Sequence, residues 1–255
     1  MYKKLGLLLP MLLLLVACGQ KSTDTSPSSS SSATSSQSTT SSSTVQASSS
    51  QETQESSSSS TETSSTTGEE ATSAAYNGAY YSVQGKYGQV IIANKKHPLA
   101  STYAPGEDPQ ALAAFQQLIA DMQAQGFAIS NNYSGFRSYE TQAGLYQSYV
   151  NQDGQAAADT YSARAGYSEH QTGLAFDLLD SYGNLLEEPV ASQWLADNAH
   201  HYGFIVRYLP GKEAITGYMA ESWHVRYIGA EATDIYNSGL TLEEYFGVPG
   251  GDYQE

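Results

Sequence analysis

Three residues of the 255-residue chain carry the side chains that bind divalent metals at spacings that suit a fold. His170 stands in the run Ser168-Glu169-His170-Gln171-Thr172-Gly173-Leu174-Ala175-Phe176-Asp177, and Asp177 follows seven residues later inside an apolar stretch. A lone acid buried in a strand is more commonly a salt-bridge partner or an acceptor of backbone amides, so Asp177 alone decides nothing. A second segment changes the balance. Glu221-Ser222-Trp223-His224-Val225-Arg226-Tyr227 alternates so that His224 and Arg226 share one strand face, with Trp223, Val225 and Tyr227 on the other. Two imidazoles and one carboxylate, His170, Asp177 and His224, make three ligands of a catalytic zinc site whose fourth position is kept for water. Glu221, three residues before His224, supplies the general base that metal-assisted hydrolysis requires.

The elements that must hold these residues are legible in outline. Asp108-Pro109 caps and opens a helix whose apolar positions Leu112, Phe115, Ile119 and Met122 recur until Gly126. Phe127 to Phe136 reads as a strand, and Ser138 caps a second helix with Ala143, Tyr146, Tyr149 and Val150 on one side. Leu174 to Leu179 is a strand. Pro189 opens a third helix carrying Val190, Trp194 and Leu195, ending at Gly203. Phe204 to Tyr208 and Trp223 to Ile228 are β-rich runs separated by a loop with Pro210, Gly211 and Gly217. Helices and strands in this mixed order predict an α+β single domain, a small antiparallel sheet packed against helices, with the zinc site in a cleft. His200 and His201 close the third helix, where imidazolium complements the dipole, and His97 before Pro98 reads as an exposed turn residue.

The ordered motifs Ser-x-His-x-x-Gly-x-Ala-x-Asp and Glu-x-Trp-His-x-Arg-Tyr, preceded by Phe136-Arg137-Ser138-Tyr139-Glu140-Thr141-Gln142, resemble those of the zinc peptidoglycan carboxypeptidases of the VanY and LdcB type. The similarity runs from about Leu99 to Tyr245, and no ligand and not the base departs from the pattern. The resemblance implies zinc on His170, Asp177 and His224, and Glu221 as a base that then protonates the leaving amine. Arg137 would polarise the scissile carbonyl and hold the oxyanion. Gln142 and Ser168 would bind the departing D-alanine. Their alternative is a capping or helix-surface role. The implied substrates are peptidoglycan stem peptides losing a C-terminal D-alanine, with an L,D-specificity favoured over D,D. A cell-wall endopeptidase and a non-catalytic zinc- or wall-binding module are the competing readings; the second leaves the presence of Glu221 and Arg137 unexplained.

The chain around this domain is read from composition. Lys3 and Lys4 precede an apolar run broken by Pro10, shaped as a secretory signal (residues 1–17), and Leu15-Val16-Ala17-Cys18 resembles a lipobox with Cys18 as the lipidated residue. An ordinary signal peptide with a chance cysteine is the other reading. Residues 18–75 are mostly Ser, Thr, Gln and Glu, too poor in apolar surface to order themselves, and read as a stalk spanning about 40 Å by root-mean-square reach. Residues 76–255 form the peptidase domain, 20 acidic against 8 basic. The implied address is the outer face of a bacterial membrane, reached through the lipid. A net charge of −15 excludes a nucleic-acid backbone as partner, because phosphate binding draws on clustered Lys and Arg. One cysteine excludes a disulfide framework.

Overall fold

A computed structural model describes residues 73–254. The predicted signal segment, Cys18 and nearly all of the stalk lie outside the described residues. None of the described helices is long and apolar enough to cross a membrane.

The architecture is α+β, as expected, but with two antiparallel sheets instead of one. The first, β1 (Ala75–Tyr76), β2 (Tyr81–Gln84) and β3 (Gln89–Ile92), is a meander in sequential order. The second holds β4 (Ile129–Ser134), β5 (Ala175–Asp180), β6 (Phe204–Tyr208) and β7 (Glu221–Tyr227) in the order β4-β5-β7-β6, each neighbour antiparallel. Helices α1 (Pro109–Ala124) and α4 (Pro189–Asn198) cover its apolar face. The 15-residue α2 (Tyr139–Asp153) and the short α3 (Gln155–Tyr161), α5 (Glu213–Thr216), α6 (Ala232–Ser238) and α7 (Leu242–Phe246) complete the domain.

Helix α1 forms for the reasons its sequence announces. Asp108 accepts from the amides of Gln110 and Ala111 at 2.9 and 2.8 Å, and Pro109 occupies the first turn, where a missing N–H costs nothing. Its buried stripe is Ala111, Phe115, Leu118, Ile119 and Met122, with Leu112 at the margin. Phe115 stacks on Phe176 of β5 with ring centroids 4.7 Å apart. Full burial of such a side chain stabilises by about 1.5–3 kcal/mol, so this stripe anchors α1 to the sheet. The core is completed by Leu178, Leu195, Phe204 and Val225.

Three expectations are corrected in detail. The strand predicted over Phe127 to Phe136 is limited to Ile129–Ser134, because Glu107 draws the Gly135-Phe136 backbone out of the ladder by accepting from the Phe136 amide. The third predicted helix ends at Asn198 and tightens into a 3₁₀ turn, Ala199–Tyr202, before Gly203 at positive φ stops it. His97 is buried, not exposed. The turn folds back so that its Nδ1 lies 2.9 Å from Asn94 Oδ1 and its ring packs edge-on against Tyr81.

Candidate active site

The β5–β7 ladder brings the predicted ligands together. Asp177 pairs directly with His224 across that ladder and with Ser134 across β4–β5. Phe176 and Leu178 point into the core, so the period-two alternation of β5 sends Asp177 to the opposite, cleft-lining face. His170 arrives from the 3₁₀ turn Glu169–Thr172, which Ser168 caps by accepting from the His170 amide. Gly173 ends that turn at φ +74°, and a side chain there would collide with the Gly106 carbonyl, which is why the motif carries glycine at this point.

The ligand atoms of His170, Asp177 and His224 all lie within 4.8 Å of one another and all three residues are buried. His170 Nε2 is 3.1 Å from Asp177 Oδ2, and His224 Nδ1 is 3.1 Å from Asp177 Oδ1. These are close to the edge of a tetrahedron with bonds of about 2.1 Å, near 3.4 Å. Asp177 Oδ1 is buried without an aligned hydrogen bond, so it and His224 Nδ1 face a common point more than each other. The other ring nitrogens are committed: His170 Nδ1 donates to Gly135 O at 2.8 Å, and His224 Nε2 lies 3.3 Å from Glu169 Oε2. Each imidazole therefore presents its remaining nitrogen to the centre. Two nitrogens and one carboxylate oxygen with an open side toward the cleft suit a catalytic metal.

Glu221 reaches the same face by an irregularity. Val206 pairs with Val225, but Tyr208 pairs with Glu221, so β7 carries two more residues than β6 over this interval. Strict alternation would oppose Glu221 to His224; the shift instead sets Glu221 Oε2 3.6 Å from His224 Nδ1. Burial raises the Glu221 carboxyl, with His224 opposing and Asp177 and Glu169 adding to the effect, to about 7. Burial lowers the His170 pKa. For His224, burial works downward but the close carboxylates of Asp177 and Glu169 prevail, and the ring is pushed up to about 10. Burial acts to raise Asp177, yet His170 and His224 hold it well below the usual carboxylate range.

Arg137 projects into the cleft, where its second Nη atom lies 3.9 Å from Asp177 Oδ2. The neighbouring Glu140 instead accepts from Ser138. Gln142 Oε1 accepts from one Arg137 Nη at 2.8 Å and Ser134 Oγ from the other at 2.9 Å. Gln142 is 1% exposed, and its amide nitrogen donates to Ala163 O and lies 3.5 Å from Ser162 Oγ, so it ties Arg137 to the 162–163 backbone. Ser168 does line the cleft while capping the turn. The cleft encloses about 600 Å³, and Trp223, Tyr208 and Tyr218 form part of its wall. His200 lies away from it, stacked on Tyr236 and 3.2 Å from Thr233 Oγ1.

Sequence reasoning overlooked Glu169. It is fully buried, its Oε1 accepting from Arg207 at 2.8 Å and Arg226 at 2.9 Å while Oε2 faces His224. Burial favours protonation, but the two guanidinium groups outweigh it and keep the carboxyl far below its ordinary value. Arg207 also makes a two-pronged pair with Glu243 of α7, and Arg226 reaches Ile91 O of β3. The signal for Glu169 was present: placing Arg226 on the face of His224 calls for a buried acid to meet it.

Comparison with known proteins agrees with this geometry. The family described as VanY, D-alanyl-D-alanine carboxypeptidase, matches residues 106–230. The chain is 34% identical over 190 residues to a putative carboxypeptidase, YodJ, of Bacillus subtilis (strain 168), covering 65% of this chain and 69% of that one. Among solved structures it superposes with TM-score 0.70 on the LdcB LD-carboxypeptidase, at 61% identity over 71% of this chain and 97% of that one. A VanY D,D-pentapeptidase in complex with Zn(II) aligns with TM-score 0.53 at 35% identity, over 61% of this chain and 97% of that one. With the ligand triad, the acid beside it and the arginine all on one cleft wall, and with that degree of likeness, the chain belongs to the VanY D-alanyl-D-alanine carboxypeptidase family.

Proposed function

We propose that the chain is a zinc carboxypeptidase that releases the C-terminal D-alanine from peptidoglycan stem peptides, acting on the tetrapeptide in the L,D sense. The observation that carries the reading is the convergence of His170, Asp177 and His224 with Glu221 3.6 Å from one ligand and Arg137 3.9 Å from another. The L,D preference rests on the 61% identity to an LD-carboxypeptidase against 35% to a D,D-pentapeptidase.

His170, Asp177 and His224 would hold zinc, which when bound supplies Lewis acidity and lowers the pKa of its water to about 7. Glu221 accepts the proton of the attacking water and delivers it to the amine nitrogen of the departing D-alanine as the C–N bond breaks. A carboxyl that burial holds above its ordinary range suits both halves of that transfer. Arg137 donates to the oxygen on which negative charge develops, a role that commonly contributes about 2.7–4 kcal/mol per donor. Gln142 and Ser134 fix the guanidinium so that little reorganisation is needed. Glu169 fixes the His224 ring, and Gly135 O fixes His170. Ser168, on the cleft lining, contacts the substrate backbone in this reading.

The sequence features ahead of the domain support a lipid anchor at Cys18, with the Ser/Thr-rich segment as a tether on the outer face of a bacterial membrane. Incorporation of labelled fatty acid into the wild-type chain and its loss in Cys18→Ala tests that part.

The activity is tested by mass spectrometry of stem tetrapeptide and pentapeptide incubated with the zinc-loaded protein and with Glu221→Ala. Loss of one alanine from the tetrapeptide, absent in the variant, is expected. Shortening of the pentapeptide alone reassigns the enzyme as D,D, and no shortening of either with zinc bound overturns the reading.

A further inference from the structure

The last described residues, Pro249 to Gln254, take no part in the site above, yet they are tightly seated behind it. The Gly251 amide donates to Ile215 O at 2.6 Å, and Asn94 donates its side-chain N–H to Pro249 O at 3.2 Å. Gly217, at φ +82°, lets this strand of chain approach so closely that a Cβ there would lie 2.5 Å from Gly251 O. Asp252 pairs at 3.1 Å with Lys95, a lysine whose side chain is 2% exposed. A buried ammonium needs compensation. Lys95 finds it in Asp252, in Asp159 O at 2.7 Å, and in the faces of Tyr218 and Tyr253, 4.6 and 4.9 Å from Nζ.

Tyr253 joins two walls of the cleft from outside. Its hydroxyl accepts the Arg164 backbone N–H at 2.8 Å, and the Arg164 guanidinium lies 4.0 Å over its ring. Arg164 follows Ala163, which lines the cleft and whose carbonyl anchors Gln142 and, through it, Arg137. The same hydroxyl is 3.4 Å from that of Tyr218, a second wall residue, whose ring packs on Tyr208 and so against His224. Neither hydrophobic core includes Tyr253. Its contacts serve the cleft walls more than the stability of the sheet.

We infer that Tyr253 is a positioning residue for substrate binding, the C-terminal segment acting as a clasp that holds the 162–168 loop and Tyr218 at the spacing the peptide requires. The inference rests on the carboxypeptidase reading for its substrate, while the clasp itself has a readout that needs no turnover.

Full-length wild type, Tyr253→Phe and Tyr253→Ala are compared by amide hydrogen exchange over residues 162–168, by zinc affinity, and by kcat and KM on the stem tetrapeptide. Tyr253→Phe, which keeps the ring and loses only the hydroxyl, is expected to speed exchange at Arg164 at least threefold and to raise KM three- to tenfold. Its kcat should stay within twofold and its zinc affinity unchanged. Tyr253→Ala is expected to raise KM more than tenfold. Unchanged exchange and KM in the folded Phe variant would overturn the inference, as would a loss of activity at constant KM that follows the folded fraction. An inactive wild type would overturn the proposed activity instead, and exchange would still decide the clasp.

Discussion

Glu169 Oε2 lies 3.3 Å from His224 Nε2, while the other oxygen of the same carboxylate is shared by two buried arginines, Arg207 and Arg226. This carboxylate thus meets two guanidinium groups, sharing Arg207 with Glu243, and orients a metal-facing imidazole. The arrangement makes Glu169→Gln informative. Loss of an outer-sphere carboxylate weakens metal binding by about 10–100-fold, and leaving buried charge uncompensated costs about 3–5 kcal/mol. Both a lower zinc affinity, by competition with a chromophoric chelator, and a lower melting temperature are expected. Wild-type affinity in a folded variant would refute the orienting role.

The ion-free His224 is protonated at pH 8, since its pKa stands at about 10. A metal ion needs the Nδ1 lone pair, so binding must expel that proton. Calorimetric titration of zinc into chelator-treated protein at pH 8, repeated in buffers of different ionisation enthalpy, is expected to show release of about two protons per site, one from His224 and most of another from water held by the ion with a pKa near 7.

Glu221→Gln keeps the shape of the cleft and removes the base. Turnover is expected to fall by about 10²–10⁴-fold with zinc still bound. In the wild type the base must be unprotonated, so activity is lost as pH falls. Glu221 stands at about 7 before a cation arrives, and a nearby cation lowers it, which sets the acid limb of kcat/KM below about 7 with a tenfold loss per pH unit.

Arg137→Ala is expected to lower kcat by about 10²–10³-fold, the effect of deleting one oxyanion donor. Gln142→Ala leaves the guanidinium in place but unheld on one side, so a smaller fall in kcat with little change in KM is expected. A rise in KM alone would return Gln142 to direct substrate contact.

Stability should be acid-sensitive for a traceable reason. The folded-state pKa of Glu169 is depressed below its ordinary value of 4.5, so its contribution is fully present above about pH 4.5 and drains away as pH falls further. The advantage of wild type over Glu169→Gln in denaturant midpoint, which isolates this carboxylate from the other titrating groups, is expected to be similar at pH 7 and 5 and smaller at pH 3.5.

The sequence carried the site further than it carried the fold. His170, Asp177, His224 and Glu221 were readable because metal chemistry restricts residue types and because a charged group in an apolar run requires a reason. Capping signals at Asp108-Pro109 and Ser138 located two helices for equally local reasons. The β1–β3 sheet and helices α3, α5, α6 and α7 escaped notice because each is short and its stability comes from long-range packing, as with Leu242 and Phe246 against Val83 and Ile92. The burial of Gln142 has a related origin: its spacing from Arg137 is local, but its packing depends on Ala163, 21 residues away. The shift in β7 that turns Glu221 toward His224 is likewise a property of the pairing with β6 and has no mark in either strand alone.

The ionic cluster that steadies His224 reaches from Ile91 O on β3 to Glu243 on α7, nearly the whole length of the folded domain. A nascent chain extended only through Tyr227 already contains every ligand and the base, but it lacks the carboxylate that shares Arg207 with Glu169. A product cut short before α7 would therefore carry the whole motif set without the acid that completes the cluster behind His224.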